Sequence, residues 1–562
     1  MSQSSTWVLG LGGSSHDYSA ALCADLDVRV AIEGERLSRV KHGRPHFFDD
    51  PVRPAVAYCL ASEGQEIAGL DRVVSGSYFP QRTIRDWSVT TYDHHLCHAA
   101  SAVMMLPADT RACVIVFDGA GSQQGPPQED GAAAFQTFSF FDFADCRLTP
   151  IGQTSGTGFV ETLPVLDGCS NSLGHFYELI TALIGFDRME VGKTMGLAAW
   201  GRPRYLERFM EHVTLSRDLT GVFAFDEYDD ELLRFVRREL AASSGAFQVR
   251  ADLAATAQEL FTRTVLWCHE LVAEREFDVL CLAGGCALNT VANGRVAKAL
   301  RPGRTLRVPP HSGDAGIALG SLWLDARERQ SGPFAMTFRG QPVHPAVARP
   351  GRTYARSEVL AAVTAGLAGA AEDASVTTPE DLAALLATGA VIGVFNGPSE
   401  IGPRALGGRS LFAHPGESET RERINRSIKQ REAFRPLAPI VLGEHFDAYF
   451  APAAAHDPFM LVVAEATELC RRAAPAVVHI DGSARVQVID EDADPFLRRL
   501  LTAFHALTGL PVLLNTSFNR RGEPIVETPA EAVSAFLSLG LDGLWLDGRF
   551  IRPTAAASPA RL

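Results

Sequence analysis

Five short apolar runs, each ending in glycine or a small polar residue, constrain this chain more than any other feature. They are WVLGLGGS (7–14), ACVIVFDGAGS (112–122), VLCLAGG (279–285), VIGVFNGPS (391–399) and PVLLNTS (511–517). Such runs read as buried strands whose carboxyl ends open into loops. Between them lie helix-length segments with clear start and stop signals. Thr378-Pro379-Glu380-Asp381 supplies a capping-box threonine with proline in the first turn, Gly389 closes the segment, and Thr528-Pro529-Ala530-Glu531 to Gly540 repeats this grammar. The pattern predicts an α/β protein.

The first fifty residues are more specific: WVLGLGG, a turn at SSHDY, SAALCA, a turn at Asp25–Asp27, then VRVAIEGER. They read as consecutive antiparallel strands. Together with an Asp-Gly turn near residue 118 and a Gly-Gly turn near 284, this is the layout of the actin-like (ASKHA, RNase H-like) superfold, two lobes around a nucleotide cleft, by analogy of fold. Residues 325–355 concentrate Pro, Gly and Arg without periodicity and predict a boundary, with domains at 1–345 and 346–562. The tail RPTAAASPARL is expected to fray. A net charge of −14 disfavours nucleic acid and anionic membrane surfaces as partners. The ten cysteines are dispersed without a CxxC, so reduced thiols and a cytoplasmic enzyme are expected. Neither a signal peptide nor a membrane-spanning segment is expected from the hydropathy pattern.

Chemistry concentrates first at Asp93-His94-His95-Leu96-Cys97-His98. His94 and His98 stand four apart, so on a helix they share a face and can chelate one ion; histidines capping or bonding locally fit the same spacing. Asp118 and Asp314, each beside glycines, are candidate further ligands. Two imidazoles and two carboxylates without thiolate favour Fe(II), Zn or Mn, and Cys97 reads as a packed thiol. His95 stands where a zincin needs glutamate, which disfavours a metalloprotease. Gly284, Gly285 and Asn289 follow a strand and open a helix, a weak phosphate-binding signal. Gly192-Lys193 suits either a phosphate or a plain turn.

The later part carries Arg421–Arg435, with six basic and two acidic residues. A solvated helix face is the ordinary explanation of such a run. Here it lies near Gly402-Pro403-Arg404-Ala405-Leu406-Gly407-Gly408-Arg409, whose rigid turns present two further arginines suited to bidentate phosphate contacts. Arg485 and Asn515-Thr516-Ser517 complete a candidate polyphosphate pocket.

SHDYSAAL, HHLCHAASA, FDGAGS, GKTMGLAA, AGGCALN, GDAGIALG, GPRALGGRS, IKQREAFRPLAP, ARVQ and LLNTSFNRRGEPIVETP occur in this order from about residue 7 to about 545. Together they resemble the O-carbamoyltransferase family of antibiotic and nodulation-factor biosynthesis (NodU/CmcH type). The resemblance implies an actin-like transfer domain and a C-terminal YrdC-like domain. The latter would make carbamoyl adenylate from ATP, Mg and carbamoyl phosphate and pass it internally to the metal site, where a small-molecule hydroxyl attacks and AMP leaves. It implies adenylate-forming residues Arg404, Lys429, Arg435, Arg485, Asn515 and Ser517, with catalytic roles for Arg404 and Lys429. It also implies metal ligands His94, His98, Asp118 and Asp314, and a transfer site lined by His16 and Lys41, with His16 a candidate base. Cys97 and Trp200 depart from the family pattern. A tRNA threonylcarbamoyl-type transferase, an actin-like kinase and a nucleotide or carbamoyl-phosphate sensor are the alternatives; a homodimer is the candidate assembly, and nothing in the chain identifies the acceptor.

Overall fold

All five apolar runs form strands, at Trp7–Gly12, Ala112–Phe117, Val279–Ala283, Ile392–Phe395 and Val512–Ser517, and each opens into a loop at its carboxyl end. The computed structural model describes residues 5–14, 16–43, 52–77, 87–129, 131–159, 168–226, 229–366, 370–372, 375–451 and 456–554. The expectation for the end of the tail, residues 555–562, lies outside them. By internal contacts the chain forms two compact units, 1–29 with 44–344, and 30–43 with 345–562.

In the first unit, Trp7–Gly12 pairs antiparallel with Ser19–Ala24 (Gly12 opposite Ser19) and parallel with Arg72–Gly76. Asp27–Glu33 lies on the other side of Ser19–Ala24, so the three hairpin strands expected at the start are neighbours in one sheet. A second sheet centres on Ala112–Phe117, flanked by parallel Val279–Ala283 and by antiparallel Ala132–Ala144, which forms a long hairpin with Arg147–Phe159. Helix His94–Val103 packs against helix Ile317–Arg329. Their approach is close enough that a Cβ at Gly320 would lie 1.9 Å from the Cys97 carbonyl oxygen. Cys97 is fully buried at this contact, and all ten cysteines are buried and outside any disulfide.

The second unit is built on an eight-stranded mixed sheet. Ile392–Phe395 is antiparallel to Arg409–Ala413, which is antiparallel to Val512–Ser517, which is antiparallel to Ala438–Leu442. Leu382, Leu386, Phe395, Phe412, Leu500, Phe504 and Phe536 fill its core. The two capped helices run Pro379–Ala387 and Pro529–Leu539, and in each the threonine side chain and the third helical residue's carboxylate satisfy each other's backbone amides. Each such cap contributes ~1 kcal/mol. Gly540 ends the latter helix in the left-handed region (φ 61°).

Among the described residues no helix is long and apolar enough to cross a membrane. The Gly192-Lys193 segment is helical rather than a loop, Val191–Ala198, with Lys193 Nζ 2.6 Å from Glu190 Oε1.

Candidate active site

Helix His94–Val103 starts where Asp93 accepts the Leu96 amide (2.9 Å), a local bond that sets the phase of the helix and turns His94 and His98 to the same side. Their Nε2 atoms lie 3.2 Å apart, and Asp118 Oδ2 is 3.2 Å from the former and 3.1 Å from the latter. Asp314 Oδ1 is 3.6 Å from both. Ligands about 2.1 Å from one ion stand about 3.0 Å apart at right angles and about 3.4 Å apart at the tetrahedral angle. The spacing of these four donors therefore fits a first-row divalent ion, and the donor set is the borderline type such ions prefer. Each donor within the set is within 4.8 Å of the others, and Cys97 contributes none.

The same carboxylates bind protons onto the imidazoles. Burial alone would depress His94, but hydrogen bonds to Asp118 and Asp314 outweigh it and raise it to about 10; His98 is raised for the same reason. Asp118 and Asp314, despite burial, are held well below the usual carboxylate range by the two histidines. The pocket is thus built to hold positive charge, as protons or as a metal.

Asp118 is aimed by its other oxygen: Oδ1 accepts the amides of Gly119 (2.9 Å) and Gly285 (3.1 Å), leaving Oδ2 for the histidines. Gly284 makes this possible, since it is left-handed (φ 89°) and a Cβ there would lie 2.3 Å from the Phe117 carbonyl oxygen. Asn289 caps helix Thr290–Ala299 through Ala292 N and exchanges hydrogen bonds with Gln258. The polar groups of Gly285 and Asn289 are therefore engaged within the fold, in positioning Asp118 and in capping. His16 Nδ1 is 3.0 Å from Asp17 Oδ2. Burial pulls its proton affinity down, but the Asp17 carboxylate, with smaller contributions from Asp314 and Glu178, raises it to about 10.

The second unit carries a contrasting cluster. Arg404, Arg431, Arg435 and Arg485 crowd together with Lys429. Burial, then Arg485 and Arg435, pull Arg404 well below its ordinary value. Burial followed by Arg435 does the same to Arg485, and burial followed by Arg435 and Arg485 to Arg431. Lys429 is depressed by burial, Arg431, Arg435 and Lys41. Guanidinium groups stay charged, so the strain shows as mutual repulsion that an anion would relieve.

Local structure explains the convergence. The chain from Arg423 to Ile428 is a π-helical turn, with Lys429 N bonded to Ile424 O, and it carries Lys429 to the end of strand Val512–Ser517. There Lys429 Nζ donates to the carbonyls of Ser517 and Asn519, each at 2.8 Å, and to Asn519 Oδ1. Asn425 on the same turn accepts from Arg431 Nε (2.8 Å) and donates to the Arg435 carbonyl (3.0 Å). Asn515 donates to the Ala405 carbonyl and to Gln487, and Gln487 donates to the Leu406 carbonyl, so the pair grips the loop that carries Arg404. The strand register puts these residues in reach, because Arg409–Ala413 and Val512–Ser517 are antiparallel neighbours.

Residues 76–322 match the family described as Carbamoyltransferase N-terminus, and residues 383–552 that described as Carbamoyltransferase C-terminus. The chain belongs to the carbamoyltransferase family. It is 31% identical to the nodulation protein NolNO of Sinorhizobium fredii over 97% of this chain and 80% of that one. It is 33% identical to the 3'-hydroxymethylcephem-O-carbamoyltransferase of Amycolatopsis lactamdurans over 63% of each chain. Among solved structures, full-length HypF in its phosphate- and nucleotide-bound form aligns over 59% of this chain and 56% of its own, with 14% identity and a TM-score of 0.39.

In this carbamoyltransferase the four expected metal ligands meet, and Arg404, Lys429, Arg435 and Arg485 fall in one cationic cluster. Asn515 and Ser517 border that cluster through the loop carbonyls and Lys429. Lys41, expected with His16, belongs to the second unit, where it lies within electrostatic reach of Lys429. Arg409 corrects the reading of two phosphate-binding arginines on the Gly-rich turn. Its side chain is fully buried, stacks on Phe395 at 3.4 Å and donates to the carbonyls of Gly397, Gly408 and Glu527. Arg421–Arg435 is likewise more than a solvated face, since Lys429 is buried. Residues that the sequence reading did not single out are Asn425, Arg431, Asn519 and Glu400, whose Oε1 accepts three amides of the Arg404 loop, Leu406, Gly408 and Arg409. Trp200 is partly exposed and packs edge-on to Phe247.

Proposed function

We propose that this carbamoyltransferase is an ATP-dependent O-carbamoyltransferase acting on a hydroxyl of a small-molecule natural product, a sugar or polyketide, in the cytoplasm. Its first unit is read as an actin-like transfer domain and its second as a YrdC-like domain that forms carbamoyl adenylate. The observation that carries this reading is the crowd of mutually repelling cations Arg404, Arg431, Arg435 and Arg485, which suits a polyphosphate. Water cleaves carbamoyl phosphate to carbamate and phosphate. A carbamate oxygen then attacks the α-phosphorus of ATP, and pyrophosphate leaves with the bridging oxygen. The arginines neutralise the phosphates during this displacement, Lys429 is the point charge beside them, and Mg accompanies ATP.

In the first unit the acceptor oxygen attacks the carbamoyl carbon, the bond to the phosphate oxygen breaks and AMP leaves. His94, His98, Asp118 and Asp314 would hold a divalent ion, Fe(II), Zn or Mn, which supplies Lewis-acid stabilisation of negative charge. His16 keeps its proton at neutral pH while paired with Asp17, so its charge suits it to stabilise the developing oxyanion rather than to act as the base. The hydroxyl proton passes to the departing phosphate.

The test is product analysis with ATP, Mg and carbamoyl phosphate, omitting each in turn. The expected result is carbamoyl-phosphate-dependent AMP and pyrophosphate. ADP alone would replace this reading with a kinase, and binding without turnover in metal-loaded protein would replace it with a sensor.

A further inference from the structure

The segment Val30–Gly43 lies more than 300 residues before the rest of the second unit, yet it is stitched into it. Ala31 N donates to the Pro350 carbonyl (2.9 Å). Arg39 donates to the carbonyls of Ile525 (2.7 Å) and Pro524 (2.8 Å) and pairs with Glu531 and Glu523. Between these anchors Arg36 is fully buried, an unusual state for arginine, with Nε on Glu33 (3.3 Å) and Nη2 donating to the Gly402 carbonyl (2.9 Å). Burial disfavours its charge, but Glu33, Glu400, Glu35 and Glu527 outweigh that and keep it protonated.

Gly402 is the left-handed residue (φ 88°) two before Arg404, with rigid Pro403 between them. Arg485 and Arg435 lie on the side chain's side of Arg404 as like charges, with Asp457 the carboxylate acting on it; the backbone on either side of it is held by separate groups. Asn515, Gln487 and Glu400 brace the loop after Arg404; Arg36 braces it before. Arg36 Nη1 and Glu400 Oε2 are both buried without a hydrogen-bond partner in the protein, so this bracing is charge-dense and sensitive to loss of either group.

We propose that Arg36, carried on the segment Val30–Gly43, is a positioning residue of the anion site: through the Gly402 carbonyl it holds the turn that presents Arg404. The second unit's site is then incomplete without a piece of the chain's beginning. This rests on the reading of the Arg404 cluster as a nucleotide site.

The test is a double-mutant cycle on the full chain, read as ATP affinity by calorimetry. R36M is expected to weaken ATP binding about tenfold in the wild-type background and less than twofold in R404A, because Arg36 acts through Arg404. R36K, which retains a donor and a charge, is expected to recover part of the loss. Equal effects of R36M in both backgrounds, or wild-type affinity in R36M, overturn the proposal. Should R36M fail to fold, R36K carries the same cycle; failure of both to fold also overturns it, since Arg36 would then support the core rather than the turn. Wild-type protein that binds no ATP overturns the nucleotide reading and this inference together, whereas ATP binding indifferent to Arg36 overturns the inference alone.

Discussion

In the first unit His94, His98, Asp118 and Asp314 satisfy one another's charge, whereas in the second Arg404, Arg431, Arg435 and Arg485 repel one another. The first group is internally compensated, whereas in the second burial and like charge outweigh the nearby Asp457 and Glu432 carboxylates. On the proposed function, the difference separates a site that would keep a resident cation from one that would take up a transient polyanion. A compensated cluster stabilises the fold around it; an uncompensated one costs stability until its ligand arrives.

The strongest way to break the contrast is at Asp118. D118N removes charge but keeps the amide contacts of the loop sterically possible; metal affinity is expected to fall at least ~100-fold, with ATP affinity unchanged. Metal content after dialysis together with calorimetry reads this, and wild-type stoichiometry in D118N would mean that the cluster is not a cation site. R404A should slow carbamoyl-phosphate-dependent AMP formation ~100–1000-fold while supplied carbamoyl adenylate is still consumed. Loss of both activities in a folded R404A protein would erase the division of labour.

G320A tests the packing that unites the metal ligands. With 1.9 Å to the Cys97 carbonyl oxygen, a methyl group must separate the helices that bear His98 and follow Asp314. A stability loss of ~1–3 kcal/mol in urea unfolding, with weakened metal binding, is expected. R485Q relieves repulsion in the second cluster, so the ligand-free protein should melt about 2–4 °C higher while binding ATP more weakly. A lowered melting temperature would show that the arginines are compensated after all.

The smallest effect concerns His16. Its affinity for the proton is raised to about 10, so the Asp17 pairing contributes stability fully below about pH 6.5 and loses it as pH rises through about 10. NMR titration should find His16 protonated at pH 8 in the wild type, and D17N should bring its titration down past neutrality. A neutral wild-type His16 at pH 7 would restore it as a candidate base.

Much of this was legible from local pattern. The five strand runs, the capping boxes at Thr378 and Thr528 and the opening hairpin strands all rest on interactions within about ten residues, which sequence spacing encodes directly. The histidine pair was legible because four residues make about one helical turn. Residue type and spacing alone did not separate Arg404 from Arg409, each of which follows a rigid turn, Gly402-Pro403 or Gly407-Gly408, although the family resemblance implied a role for Arg404 only. Only the strand that begins at Arg409 decides that its side chain is buried under Phe395 and carbonyl groups while Arg404 meets other cations. The Gly284-Gly285 turn was only a weak signal for a phosphate loop, and what it does in the fold is seen from Gly285 N reaching Asp118, 167 positions away.

The sequence by itself determined the α/β elements, their caps, the helix face shared by His94 and His98 and the family to which the chain belongs. Only the tertiary structure decided which oxygen of Asp118 faces the histidines, which arginines crowd together, and that Val30–Gly43 joins the second unit. Those outcomes depend on close approach between residues far apart in the chain, where a few tenths of an ångström and the balance of burial against neighbouring charge decide the result, and neither is written in local spacing.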